Sequence, residues 1–138
     1  MQISTLTEQR FHREKEETYL YTAKDVFSYM ASLFNEEDRE YLFVLHLNTK
    51  NKVLDRELIG IGTLDCCLLH PREIFKGAIT KGANYIVLIH NHPSGDPNPS
   101  EEDINITKQL FKAGKILGIP VIDHIIIGKG KYYSFTDP

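Results

Sequence analysis

The chain has 138 residues, of which 41% are hydrophobic and 25% charged, with a net charge of −3. That suits one domain around one core and is too short for a TIM barrel, which takes about 250 residues. The slight acidic excess excludes a chain-wide basic surface, so any nucleic-acid footprint must be local.

Residues 1–21 are polar, with Arg13, Glu14, Lys15, Glu16 and Glu17 in succession, and read as an N-terminal arm ahead of a core over 22–138. Thr22 offers an N-cap with Asp25 in the capping-box position. Val26, Met30, Leu33 and Phe34 then follow i, i+4, i+7, i+8 spacing, which predicts an amphipathic helix ending at Asn35 to Asp38. The apolar, β-forming run from Tyr41 to Leu47 predicts a buried strand. Lys52 to Gly62 reads as its hairpin partner, with Gly60 and Gly62 marking a bulge or close backbone approach.

Pro71 starts a second helix whose apolar face is Ile74, Phe75, Ala78 and Ile79, with Gly82 as its stop and His70 leading the chain in. Tyr85 to Ile89 is apolar throughout, as a strand covered on both faces would be, and runs straight into His90-Asn91-His92. Pro93 to Pro99 holds three prolines and a glycine, a stiff loop. Ser100 caps a third helix with Ile104, Leu110, Phe111 and Ile116 as apolar positions. Ile119 to Ile127 is another strand, broken in its middle by Asp123-His124. Gly128-Lys129-Gly130 then turns the chain into a last strand, Lys131 to Phe135. Alternating strands and helices give an α/β class with a mixed sheet, a single domain and no internal repeat.

No stretch approaches the roughly 20 apolar residues of a membrane span. The first residues lack the charged and apolar regions of a signal peptide, so the cytoplasm is the expected compartment. Cys66 and Cys67 are neighbours that cannot staple distant segments and read as thiols in or near the core. Nothing in the sequence assigns an oligomeric state.

The chemistry concentrates around residue 90. Residues i and i+2 of a strand project to the same side, so His90 and His92 can converge on one point. A metal takes neutral imidazole nitrogens at about 2.0–2.1 Å, and Asp103, in the first turn of the next helix, can bring a carboxylate back over the stiff loop. Two histidines and one carboxylate leave a fourth position for water, the pattern of a catalytic zinc. Ser100-x-x-Asp103 is also a capping box, so a purely capping role for Asp103 stays open. His124 is equally a hydrogen-bonded core histidine or a support for such a site. Asp96 reads as loop support.

The stretch His90-Asn91-His92-Pro93-Ser94-Gly95-Asp96-Pro97-x-Pro99-Ser100-x-x-Asp103 matches the JAMM metallopeptidase signature, His-x-His followed by ten residues and Asp, and closely resembles the RadC family. Leu47-Asn48-x-Lys50-Asn51, Gly62-Thr63-Leu64, His70-Pro71-Arg72-Glu73-Ile74-Phe75 and Asp123-His124-Ile125-Ile126 extend the resemblance over Glu40 to Phe135. It implies a JAMM/MPN-type fold, a mixed, curved sheet flanked by helices and similar to the cytidine-deaminase fold. It implies Zn2+ held by His90, His92 and Asp103, with Ser94 stabilising the oxyanion formed when zinc-bound water attacks a carbonyl. It further implies a glutamate base at the start of an early strand. Glu40 matches that placement, and Glu57 in the second strand is its rival. Full-length RadC proteins carry a helix-hairpin-helix region ahead of this domain. About forty residues precede the match here, so the chain resembles the catalytic-type domain alone.

The leading reading is therefore a zinc hydrolase acting on a peptide or isopeptide-like amide. The second is a DNA repair or recombination accessory module, with DNA or repair proteins as partners. Lys108, Lys112 and Lys115 at helical spacing, with Lys129 and Lys131, would form its basic stripe, although a solvated helix face explains the first three equally well. A nucleobase deaminase would need His-x-Glu and Pro-Cys-x-x-Cys, and neither occurs.

Overall fold

The computed structural model describes residues 17–34, 39–62 and 69–138. Most of the arm, the expected end of the first helix at Asn35 to Asp38, and both cysteines lie outside the described residues.

Helix α1 (Ala23–Met30) starts at the Thr22–Asp25 capping box, with both reciprocal bonds formed, and tightens into a 3-10 turn over Ala31–Phe34. Strands β1 (Tyr41–Leu47) and β2 (Val53–Ile61) form the expected antiparallel hairpin. Its register slips between Leu42 and Phe43, whose partners are Gly60 and Leu58, so the irregularity falls beside the glycine. Helix α2 (Pro71–Lys81) starts on proline and stops at Gly82, which takes the left-handed conformation at φ 67°. The His70 ring makes no capping bond; its carbonyl, accepting from Glu73 N, makes the entry turn.

Strand β3 (Tyr85–Asn91) extends two residues beyond the apolar run and takes in His90. Helix α3 (Glu101–Leu117), strand β4 (Val121–Ile127) and strand β5 (Tyr132–Ser134) complete the domain. The sheet order is β2-β1-β3-β4-β5, with only the β3–β4 pair parallel. The sheet is mixed, as the alternation predicts.

Strand alternation divides the core in two. Phe43, Leu45, Leu47, Val87, Ile89, Ile125 and Ile127 face α1, packing with Val26 and Met30. Leu42, Val44, Ile86 and Leu88 face α2 and α3, packing with Ile74, Phe75, Ala78, Ile106 and Leu110. Each of these Val, Leu, Ile, Phe and Met side chains contributes roughly 1.5–3 kcal/mol when fully buried. The helix faces differ in part from the sequence reading. Ile79, Ile104 and Ile116 are exposed, and the buried stripe of α3 is Asp103, Ile106, Thr107, Leu110 and Gly114. Polar residues occupy the end of that stripe nearest the exit of β3. Gly114 is there because a Cβ would press on the Ile119 carbonyl and Val121.

One irregularity decides what faces α3. Ile86 pairs with Val121, but Val87 pairs with Asp123, so β4 carries one extra residue. In regular register Asp123 would fall on the α3 face. The extra residue reverses the alternation, and His124 falls there instead. Asp123 stays in the strand, with its carboxylate accepting from His124 N, Ser134 Oγ and Thr136 N.

Candidate metal centre

Three elements converge at the exit of β3. His90, fully buried, is the last residue of the strand facing α3, and His92 lies just past its end. Their Nε2 atoms are 3.1 Å apart. Asp103, on the first turn of α3, brings Oδ2 to 3.1 Å from His92 Nε2 and Oδ1 to 3.4 Å from His90 Nε2. These are the distances a cation needs. Donors on a tetrahedral ion with bonds of about 2.0–2.2 Å lie about 3.3 Å from one another. Among the described residues these three form the one group of histidine, cysteine or acidic side chains able to hold a metal ion.

Asp103 serves two purposes with one carboxylate. It completes the capping box with Ser100, whose N–H donates to Oδ2 at 2.8 Å while Ser100 Oγ accepts from Asp103 N at 3.0 Å. The capping and ligand readings are therefore compatible: the cap aims the carboxylate at the histidines. Burial would raise the Asp103 pKa, but the contacts of its carboxylate with the His90 and His92 rings and with the Ser100 N–H outweigh it. The carboxyl is held well below the usual carboxylate range.

The loop sets the second histidine. His92 Nδ1 lies 2.9 Å from the Asp96 carbonyl, which can only accept, so the neutral ring carries its proton there and leaves Nε2 bare, while the protonated ring also donates from Nε2 to Asp103. The Asp103 hydrogen bond raises the His92 pKa against partial burial, helped by the Asp96 carbonyl and by the negative charges of Asp103 and Glu40. The Asp96 side chain accepts from Asn98 N, the loop role expected for it. Gly95, at φ 92°, accepts from Lys129 N at 2.9 Å and ties the loop to the β4–β5 turn.

Behind His90 stands His124, with its Nε2 2.7 Å from His90 Nδ1 and its Nδ1 2.6 Å from Thr107 Oγ1. Complete burial pushes the His124 pKa well below its ordinary value. Thr107 was invisible in the sequence, where a threonine in a helix carries no signal.

The two glutamates part company. Leu42 pairs with His90 in antiparallel register, so Glu40, two residues earlier, is level with His92. Asn91 brackets it, accepting from Tyr41 N at 2.7 Å and donating to the Arg39 carbonyl at 2.9 Å. Glu57 instead pairs with His46 Nε2 at 2.9 Å and packs over Gly77 of α2, where a Cβ would collide with its carboxylate. Ser94 is exposed in the loop, its Oγ accepting from Asp96 N at 3.3 Å. A cleft of about 240 Å³ opens beside His92, walled by Phe27, Ala31 and Phe34 on one side and the Gly128–Gly130 turn on the other.

A mixed sheet with two histidines at the exit of its central strand and an aspartate on the following helix defines a JAB/MPN-type domain with a candidate metal centre. Residues 20–138 match the RadC-like JAB domain family, and the chain belongs to that family. It is 48% identical to a UPF0758 protein of Chlorobium chlorochromatii over 99% of this chain and 63% of that relative. It is 52% identical to one of Chlorobaculum tepidum over 83% of this chain and 52% of the relative. A Methanosarcina mazei relative is 46% identical over 83% of this chain and 50% of the relative. The chain thus spans between half and 63% of the length of these relatives. Among the described residues no helix is long and apolar enough to cross a membrane.

Proposed function

We propose that this domain is a zinc-dependent hydrolase of peptide or isopeptide-like amides. The observation that carries the reading is the convergence of His90 Nε2, His92 Nε2 and the Asp103 carboxylate at 3.1, 3.1 and 3.4 Å. Two imidazoles and one carboxylate suit zinc and leave a coordination position open. When bound, zinc would lower the pKa of a coordinated water toward about 7 and polarise the carbonyl under attack.

The chain's own residues supply the rest. Glu40, level with His92, takes the proton of the attacking water and passes it to the leaving amine. Ser94 uses an oxygen lone pair to accept from Asp96 N, which leaves its O–H to donate to the developing oxyanion. The cleft beside His92, about 240 Å³, is below the roughly 300–1,000 Å³ of pockets that enclose a small ligand. It suits one side chain of a longer substrate lying across the site. Glu40→Gln tests the reading: metal is retained and amide cleavage falls by about 10²–10⁴-fold, the usual share of a general base. Undiminished cleavage in that variant removes Glu40 from the role.

A DNA-directed accessory role has one observation in its favour, the exposed Lys108, Lys112 and Lys115 on the solvent side of α3. It predicts DNA binding that weakens steeply with salt. Absence of binding at low salt eliminates it.

A further inference from the structure

The hydrogen bonds behind His90 have a direction, fixed by the acceptor at the far end. The Asp103 carbonyl can only accept, so the hydroxyl proton of Thr107 lies on the 2.6 Å line to it. Thr107 Oγ1 then offers His124 Nδ1 only lone pairs, and His124 carries its proton on Nδ1. A ring this deeply buried, with a hydroxyl and another imidazole as its partners and no carboxylate, is neutral, so its Nε2 is bare and accepts from His90 Nδ1 at 2.7 Å. His90 is thereby held with its proton at the back and its Nε2 lone pair toward His92 and Asp103.

We propose that Thr107 and His124 are positioning residues of the metal centre, locking His90 in the one neutral tautomer that can ligate through Nε2. The inference rests on the metal-centre reading above. His92 is set in one step by the Asp96 carbonyl. His90 is set through two side chains, and the final acceptor is the backbone of Asp103, the third ligand, so the path closes on the site it serves. His90, Asp103, Thr107 and His124 are 0%, 3%, 4% and 1% exposed, so solvent is a poor substitute for any link. The extra residue in β4 has a function in this light, since regular register would put Asp123 on the face where His124 now meets His90. A polar cluster that merely satisfied itself in the core would not have to point its last lone pair at the metal.

Two measurements test this. In 15N-labelled metal-free protein, two-bond nitrogen–proton correlations of the histidine rings should show His124 protonated at Nδ1 and bare at Nε2. In zinc competition titrations, Thr107→Val should weaken binding by about 10–100-fold, the usual effect of losing a group that orients a ligand, and Thr107→Ser should restore it. A proton on His124 Nε2, or a folded Thr107→Val protein that binds zinc as tightly as wild type, overturns the proposal. Wild-type protein that binds no zinc would instead defeat the metal-centre reading, and the ring spectra would still decide the direction of the chain.

Discussion

The side-chain amide of Asn91 holds the backbone on both sides of Glu40, taking the Tyr41 N–H at 2.7 Å and giving a proton to the Arg39 carbonyl at 2.9 Å. The residue between the two histidines thus fixes the stretch that presents the proposed base. The candidate ligand geometry and the position of the proposed base both depend on one three-residue segment, His90-Asn91-His92.

Asn91→Ala should therefore separate binding from chemistry. His90 stays on β3 and His92 stays held by the Asp96 carbonyl, so metal affinity should change by no more than a few-fold. The 39–41 segment loses its anchor, and displacement of a reacting group by about 1 Å can cost on the order of 10²-fold in rate. Metal titration and amide-cleavage assays on the same preparation check this. Loss of metal, or an unchanged rate, would contradict it.

Glu57 predicts the opposite pattern. His46 is fully buried, its Nδ1 has no hydrogen-bond partner among the described residues, and Glu57 holds its Nε2. Glu57→Ala leaves the ring with both nitrogens unpaired, at a cost of roughly 1–3 kcal/mol of stability. Cleavage per folded molecule should be unchanged. Denaturant unfolding and specific activity together decide between the two glutamates.

Metal affinity should fall in mild acid. His92 must be neutral to ligate, and the Asp103 hydrogen bond raises its pKa above the ordinary histidine value of 6.5. Protons therefore compete with the metal below that raised pKa and cease to compete above it. In the metal-free protein the sign is reversed. The His92–Asp103 contact contributes stability below pH about 6.5 that is lost as pH rises through the raised pKa. Zinc titrations across pH 5.5–8.5 check this, a flat profile being the contrary result.

The parts of this architecture that depend on local pattern were legible in the sequence. Continuous apolar runs mark β1 and β3, Thr22–Asp25 and Ser100–Asp103 mark two helix starts, and the His-x-His spacing marks two of the converging side chains. What escaped depends on tertiary register. Periodicity shows that α2 and α3 carry apolar stripes but not how far the sheet covers them, so Ile79, Ile104 and Ile116 fit the apolar pattern yet stand exposed. The extra residue of β4 leaves no trace in composition, yet it turns His124 toward His90. Thr107 and Asn91 are ordinary residues until their neighbours are known. Asp103, with two readings from sequence, fits both, because its cap and its contacts with the histidines use the same carboxylate.

The metal centre is tested most directly by titrating metal-depleted protein with Co2+ and Zn2+, alongside His92→Ala and Asp103→Ala. Wild type should bind one ion per chain with the visible absorption of four-coordinate Co2+, and affinity should fall by more than about 100-fold in either variant, beyond the effect of disturbing an outer support. Binding that is absent in wild type, or that survives unchanged in Asp103→Ala, would contradict it.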